Sequence, residues 1–276
     1  MQNLLWRSSV TLQVLISALD VEPEKLLEKM NIQTPAVLVN QCEKDERTNL
    51  EFNGNEVLLI SSSDRGVGKS RNDCLRNATA DLVLFSDDDI IYESGYEEKI
   101  LSAFEETPDA DMILFNMVGS EDRKTYWNED VRKVTKTSCG RFPAYSIAVK
   151  REKLVKNHIE FSLLFGGGAI YSNGEDSLFL LDALRAGIKI YTSEKVLGRE
   201  EAESSTWFNG FTEKFFFDRG VLFAFLYRGF APLWAFRFVH LKKNIDTSEI
   251  GRKKAWKLIR DGIKEGNRLR GAKENK

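Results

Sequence analysis

The chain has 276 residues, enough for one large core or two smaller ones. With 40 Lys and Arg against 42 Asp and Glu its formal net charge is −2, so no global basic field points to nucleic acid. Its three cysteines, Cys42, Cys74 and Cys139, are scattered and form no CxxC, which argues against a disulfide framework and fits a reducing cytosol.

That near-neutrality hides an asymmetry: from Arg237 to Lys276 thirteen Lys or Arg face five acids, so the cationic excess sits in the tail. His158 and His240 are too few for a histidine-rich metal centre. The run from Arg7 to Leu19 is short, interrupted by Ser, Thr and Gln, and lacks a small-residue cleavage site. It is taken as a first strand, not a signal peptide.

Thr11–Leu19 is apolar and β-prone, and Pro23 suits the first turn of a helix carrying Leu26, Leu27 and Met30. Ala36–Val39 and Val57–Ile60 predict two more strands, joined by a polar loop over 40–55 in which Asn53-Gly54 marks a turn. Gly68–Asn77 is expected to be helical. Leu82–Phe85 then forms a buried strand that runs into Asp87-Asp88-Asp89. Gly95–Glu106 is amphipathic and Met112–Phe115 is strand-like. Such alternation predicts an α/β fold with a mainly parallel sheet flanked by helices.

Past Lys124 the pattern loosens into polar, β-rich excursions. Phe142–Val149 is expected as a strand and Lys150–Asn157 as a short helix. Phe165-Gly166-Gly167-Gly168-Ala169 is a flexible run. Asn173-Gly174-Glu175-Asp176 then opens a helix carrying Leu178, Phe179, Leu181 and Leu184, stopped by Gly187, and Ile188–Tyr191 is a last strand.

Two stretches carry chemistry. Three adjacent carboxylates repel one another, and a hard divalent cation, Mg²⁺ or Mn²⁺, relieves that repulsion beside a phosphate. A solvated acidic turn is the plainer reading of Asp87-Asp88-Asp89, but the apolar strand before it favours a site. Ser63-Asp64-Arg65-Gly66-Val67-Gly68-Lys69-Ser70 resembles a phosphate-binding P-loop, following a strand and opening a helix. That pattern needs glycine where Ser63 stands, because glycine permits the tight wrap around phosphates. A nucleoside-triphosphate-dependent phosphotransferase is therefore the alternative enzyme, and a non-catalytic carbohydrate- or membrane-binding protein a third reading.

Gly66-Val67-Gly68-Lys69-Ser70-Arg71-Asn72, then Ala80 to Asp89, then Gly174-Glu175-Asp176, together resemble glycosyltransferase family 2. The similarity spans roughly residues 10–220. It implies a GT-A-type fold, a nucleotide-sugar donor, Mn²⁺ or Mg²⁺, and inversion at the sugar carbon. By that resemblance Asp88 is the first choice for metal contact, with Asp87 and Asp89 touching metal or donor. Arg71 resembles the family's nucleotide-contacting arginine, with Asp64, Asn72 and Ser86 on the donor side. Asp176 resembles the general base, with Glu175 beside it, although an acid pair opening a helix also serves as a cap. Gly166, Gly167 and Gly168 are expected as an acceptor-side loop or lid. The second strand ends Val39-Asn40-Gln41-Cys42, without the family's base-reading Asp residues, so uridine is an expectation by default. Residues 1–205 form the catalytic domain implied, with a donor half to about 118 and an acceptor half from about 119. Residues 206–276 form a helical, aromatic-rich, basic extension.

In that extension Val221–Val239 is apolar but broken by Arg228, Pro232 and Arg237, which disfavours a spanning helix. Two readings stay open for 214–260: peripheral contact with an anionic membrane, or a core-packed helical pair with a solvated tail. The resemblance implies a cytoplasmic enzyme that moves a sugar from a UDP-sugar to a saccharide in bacterial capsule or exopolysaccharide synthesis; on the first of the two readings it is peripheral on the membrane and its acceptor is lipid-linked. No nucleic-acid partner is expected.

Overall fold

The structure is a computed structural model that describes residues 10–119, 126–201, 210–242 and 245–274. The Arg7 lead-in and the domain edge placed at 205/206 lie outside the described residues. Among the described residues nine strands form one sheet: β1 (Leu12–Leu19), β2 (Ala36–Gln41), β3 (Glu46–Phe52), β4 (Asn55–Ser62), β5 (Leu82–Asp87), β6 (Ile90–Tyr92), β7 (Met112–Val118), β8 (Ile147–Lys150) and β9 (Ile190–Glu200). Their order is β3-β4-β2-β1-β5-β8-β7-β9-β6. The helices are α1 (Pro23–Lys29), α2 (Val67–Asn77), α3 (Tyr96–Glu106), α4 (Arg151–Lys156), α5 (Glu175–Arg185), α6 (Glu213–Tyr227), α7 (Ala231–His240) and α8 (Arg252–Glu274).

The expected parallel sheet is found in β4-β2-β1-β5, where every neighbour runs the same way. Beyond β5 the sheet is mixed, because β8 inserts antiparallel between β5 and β7. The loop expected over 40–55 holds β3, paired antiparallel with β4 across a turn in which Asn53 and Gly54 both take positive φ. Phe142–Val149, expected as one strand, holds a short 3-10 turn at Ala144–Ser146 before β8 begins at Ile147.

Alternation along the strands sorts the core into two layers. Val14, Ile16, Leu82 and Leu84 face α1 and α3, meeting Leu27, Met30, Tyr96 and Ile100. Leu15, Val37, Val83 and Phe85 face the opposite side, meeting Cys74 and Leu75 of α2 and Phe179 and Leu180 of α5. Both helices that carry predicted site residues, α2 and α5, therefore lie on one side of the sheet.

The extension packs as helices on the catalytic part. Close approach of α6 and α8 depends on glycine: a Cβ on Gly220 would meet the Ile259 carbonyl oxygen at 2.1 Å, and one on Gly262 the Phe217 carbonyl oxygen at 2.1 Å. Residues 213–240 are long and apolar enough to cross a membrane by length and composition. The helix nevertheless ends at Arg228 (φ 49°) and α7 folds back, so that Phe238 touches both Phe215 and Phe223 of α6. Val221 and Leu222 of α6 also pack with Phe165, Tyr171 and Leu178, which joins the extension to the start of α5.

Candidate active site

β1 and β5 run in parallel register, with Ile16 opposite Ser86 and Ser17 opposite Asp87, so Asp87 emerges at the carboxyl end of the sheet's centre. Ligands in such sheets bind beyond the carboxyl ends of strands. Arg71, on α2, reaches that end from below. Its guanidinium donates to Asp87 Oδ1 at 2.7 Å, to Asp176 Oδ1 at 2.9 Å and to Glu175 Oε1 at 3.3 Å. Acids 88 and 89 positions apart in sequence thus share one cation. Arg71 is the link between the acid that ends β5 and the acid pair that opens α5.

The guanidinium is held flat as well as charged. Its carbon lies 5.2 Å from the centre of the Phe161 ring, which stacks on Phe179 at 4.0 Å. Asn72 fixes that ring: its Nδ2 donates to the Phe161 carbonyl at 2.9 Å and its Oδ1 accepts from the Phe161 amide at 2.7 Å. Both ends of the Asn72 amide are thereby occupied inside the protein. Expected on the donor side, Asn72 is a buried clamp that acts through Phe161.

Burial alone would lower the Arg71 pKa, but Asp87, Asp176 and Glu175 outweigh it and raise it, so the cation is permanent. Burial, and after it the charge of Glu175, pushes the Asp176 pKa up, with Arg71 opposing the rise. Asp88 and Asp89 respond similarly. Burial and the charge of Asp87 raise the Asp88 pKa, held back by the Leu19 amide, which donates to its Oδ2 at 3.1 Å. Burial, then Asp87 and Glu200, push Asp89 up to about 7.

The oxygen set suits a hard cation. Asp89 Oδ1 is buried without a hydrogen-bond partner, and such an orphaned acceptor calls for a cation or proton. Among the described residues no three His, Cys, Asp or Glu side chains are placed to hold a metal ion by themselves. That excludes an all-protein cage there but fits a magnesium-like ion, which takes one or two carboxylates and completes its shell from substrate phosphates and water. The orphaned atom belongs to Asp89, whereas sequence reasoning put Asp88 first. Asp87 has one oxygen committed to Arg71.

Other predicted residues sit further out. Ser86 is fully buried and its hydroxyl donates to the Asp87 carbonyl at 3.1 Å. Asp64 is exposed and pairs with Lys69 Nζ at 2.8 Å, and Asp73 takes the same ammonium at 2.9 Å. This is the lysine on which a P-loop reading depends. The first amide of α2, Val67 N, donates to the Gly167 carbonyl at 2.9 Å, so a backbone oxygen fills the place of a phosphate. The glycine run expected as a loop or lid is docked there: a Cβ on Gly168 (φ 78°) would lie 3.1 Å from the Gly66 backbone.

Sequence reasoning missed Glu200 and Phe161. Glu200 stands opposite Ile90 in the β6–β9 pairing, raises the Asp89 pKa and accepts from the Tyr145 hydroxyl. The acid-rich run Glu200-Glu201 was the available signal, but only strand pairing shows where it goes.

A family model described as glycosyl transferase family 2 matches residues 37–171. No curated protein sequence matches the chain. Among solved structures, S. aureus TarS 1–349 in complex with UDP-GlcNAc aligns at 16% identity over 92% of this chain and 72% of that one, with a TM-score of 0.56. The mannosyltransferase PcManGT from Pyrobaculum calidifontis, in complex with GDP-Man and Mn²⁺, aligns at 14% identity over 95% and 82%, with a TM-score of 0.52. At such identities the likeness is one of fold. Taken with the matched family model and the acids gathered at the sheet's carboxyl end, it gives the chain a GT-A-type fold in which residues 37–171 match glycosyl transferase family 2.

Proposed function

We propose that the chain transfers a sugar from a nucleoside diphosphate, a UDP-sugar, to a hydroxyl of a saccharide acceptor, with inversion and with a divalent cation bound. The observation that carries this reading is Arg71, which holds Asp87 and the Glu175/Asp176 pair on one cation. The donor's diphosphate would lie over Asp87–Asp89, where Asp89, with Asp88 beside it, would hold Mn²⁺ or Mg²⁺. The ion supplies charge neutralisation for the departing diphosphate. Asp176 takes the proton from the acceptor hydroxyl as its oxygen bonds to the sugar carbon. The bond from that carbon to phosphate breaks, and the electron pair leaves with the nucleoside diphosphate. A carboxylate whose pKa is raised by burial is better matched to this task near neutral pH. Glu175 keeps Arg71 in place and its charge raises the basicity of Asp176.

The acceptor class we assign is a saccharide carried on a lipid at the cytoplasmic face of the membrane, as in bacterial surface-polysaccharide synthesis. This rests on the family resemblance and on the aromatic, basic extension packed beside α5. The test is release of nucleoside diphosphate from a panel of nucleotide sugars with and without Mn²⁺, offered with lipid-linked and free saccharide acceptors. Release that needs both metal and acceptor, and that Asp176→Asn removes, is expected. Turnover of ATP with retained activity in Asp176→Asn would overturn the reading.

A further inference from the structure

Helix α7 is apolar on both sides. Ala231, Ala235, Phe238 and Val239 face the extension's core, while Phe230 at its start is 73% exposed and Leu233 66% exposed. Phe236 and Leu241 continue the exposed set. A surface helix in water normally carries polar residues on its outer face, and exposed apolar residues grouped this way mark a contact surface. Single exposed hydrophobics would need no explanation, but these four fall within twelve residues.

The charge along this stretch of the chain has one sign. From Arg219 to Ile245 the sequence holds no Asp or Glu, but five Arg or Lys. Three of the cations lie over aromatic rings of α7: Arg219 and Lys242 are 5.6 and 5.5 Å from the centre of Phe238, and Arg237 is 5.4 Å from that of Trp234. Burial and the nearness of Arg219 and Arg237 lower the Lys242 pKa, the mark of cations pressed together. Their mutual repulsion would be relieved by an anion. We infer that α7 docks on an anionic lipid surface, with Phe230, Leu233 and Phe236 entering the interface and Arg237 and Lys242 meeting lipid phosphates. Apolar burial and headgroup attraction then act together, as in helices that lie in the interfacial plane.

Docking there would set the active site at the membrane. Tyr227 and Trp234, stacked at 4.4 Å, line a groove of about 430 Å³ with Lys136, Arg141 and Gly140. Gly140, which lines the groove, accepts at its carbonyl from Ser177, next to Asp176, at 3.4 Å. The proposal deepens the lipid-linked acceptor reading, but stands on the α7 face and is measured without catalysis. The experiment is flotation of the full chain with vesicles of phosphatidylcholine alone or mixed with phosphatidylglycerol. Binding to the anionic vesicles only is expected. Phe230→Ser/Leu233→Ser and Arg237→Gln/Lys242→Gln should each weaken it at least tenfold, with melting temperature and nucleotide binding unchanged. Absence of wild-type binding, or equal binding by both variants, would overturn the proposal. So would a concentration-dependent dimer that only Phe230→Ser/Leu233→Ser disperses, since that would assign the face to a second copy of the chain.

Discussion

Replacing Arg71 by methionine removes the one cation shared by Asp87, Glu175 and Asp176 and leaves three carboxylates facing one another. The Arg71 side chain is 4% exposed, and its partners are 28%, 13% and 24% exposed. Breaking a fully buried ion pair from one side costs about 3–5 kcal/mol. Because water reaches these carboxylates, the lower end applies, about 3 kcal/mol, and at 2–4 °C per kcal/mol a chain of this size should melt roughly 6–12 °C lower. The sign with pH follows from the same charges. Without the guanidinium the carboxylates are harder to ionise when folded, so the deficit is full at pH 7.5 and shrinks towards pH 4 as they bind protons. Arg71→Lys keeps the charge but not the fork that spans three partners, and should lie between the two. Differential scanning fluorimetry at pH 4.5 and 7.5, with guanidinium titrations as a check, measures both arms. A melting temperature within 2 °C of wild type at pH 7.5, or the same deficit at both pH values, would refute the shared-cation argument.

Asp176→Asn should lower kcat/KM for transfer by about 10²–10⁴, the usual contribution of a general base, while leaving donor binding in place. Wild-type kcat/KM should rise with pH as Asp176 ionises above the usual carboxylate range. Stability runs the opposite way: a carboxyl whose folded pKa is raised contributes stability that is whole below its unfolded value and is lost as pH rises through the folded one. Asp176→Asn should therefore flatten the decline in melting temperature between about pH 4 and neutrality. Gly174→Ala places a Cβ 2.5 Å from the Leu222 methyl carbons at φ 116°, and should destabilise by about 1–3 kcal/mol. Adding Leu222→Ala removes the clash but not the backbone strain, and itself empties a buried site, so in denaturant titrations the double variant should lose less than the sum of the two single losses.

Local chemistry was legible where one segment decides it. The strand into Asp87-Asp88-Asp89, the glycine-opened helix at Glu175 and the turn at Asn53-Gly54 follow from neighbours in sequence. β3 was not, because Glu46–Phe52 is an edge strand in which only Thr48, Leu50 and Phe52 are partly buried, and its charges look like a loop. The mixed half of the sheet was also hidden, since the antiparallel entry of β8 between β5 and β7 is a tertiary choice. Arg71 was found in sequence but given a nucleotide, while its observed partners are acids, one of them 105 positions away. Asn72 looked like part of a binding motif because its amide is polar, yet that polarity serves the Phe161 backbone. Glu200 reaches Asp89 only through the pairing of β9 with β6.

The most direct measurement is calorimetric titration of UDP and GDP into the wild-type chain, each with and without Mn²⁺, repeated in Asp89→Asn and Asp176→Asn. The account predicts that UDP binds in the presence of Mn²⁺ only, that Asp89→Asn loses this binding, and that Asp176→Asn keeps it. Nucleotide binding that ignores the metal, or that survives Asp89→Asn unchanged, would contradict the placement of the donor over the acids at the end of β5.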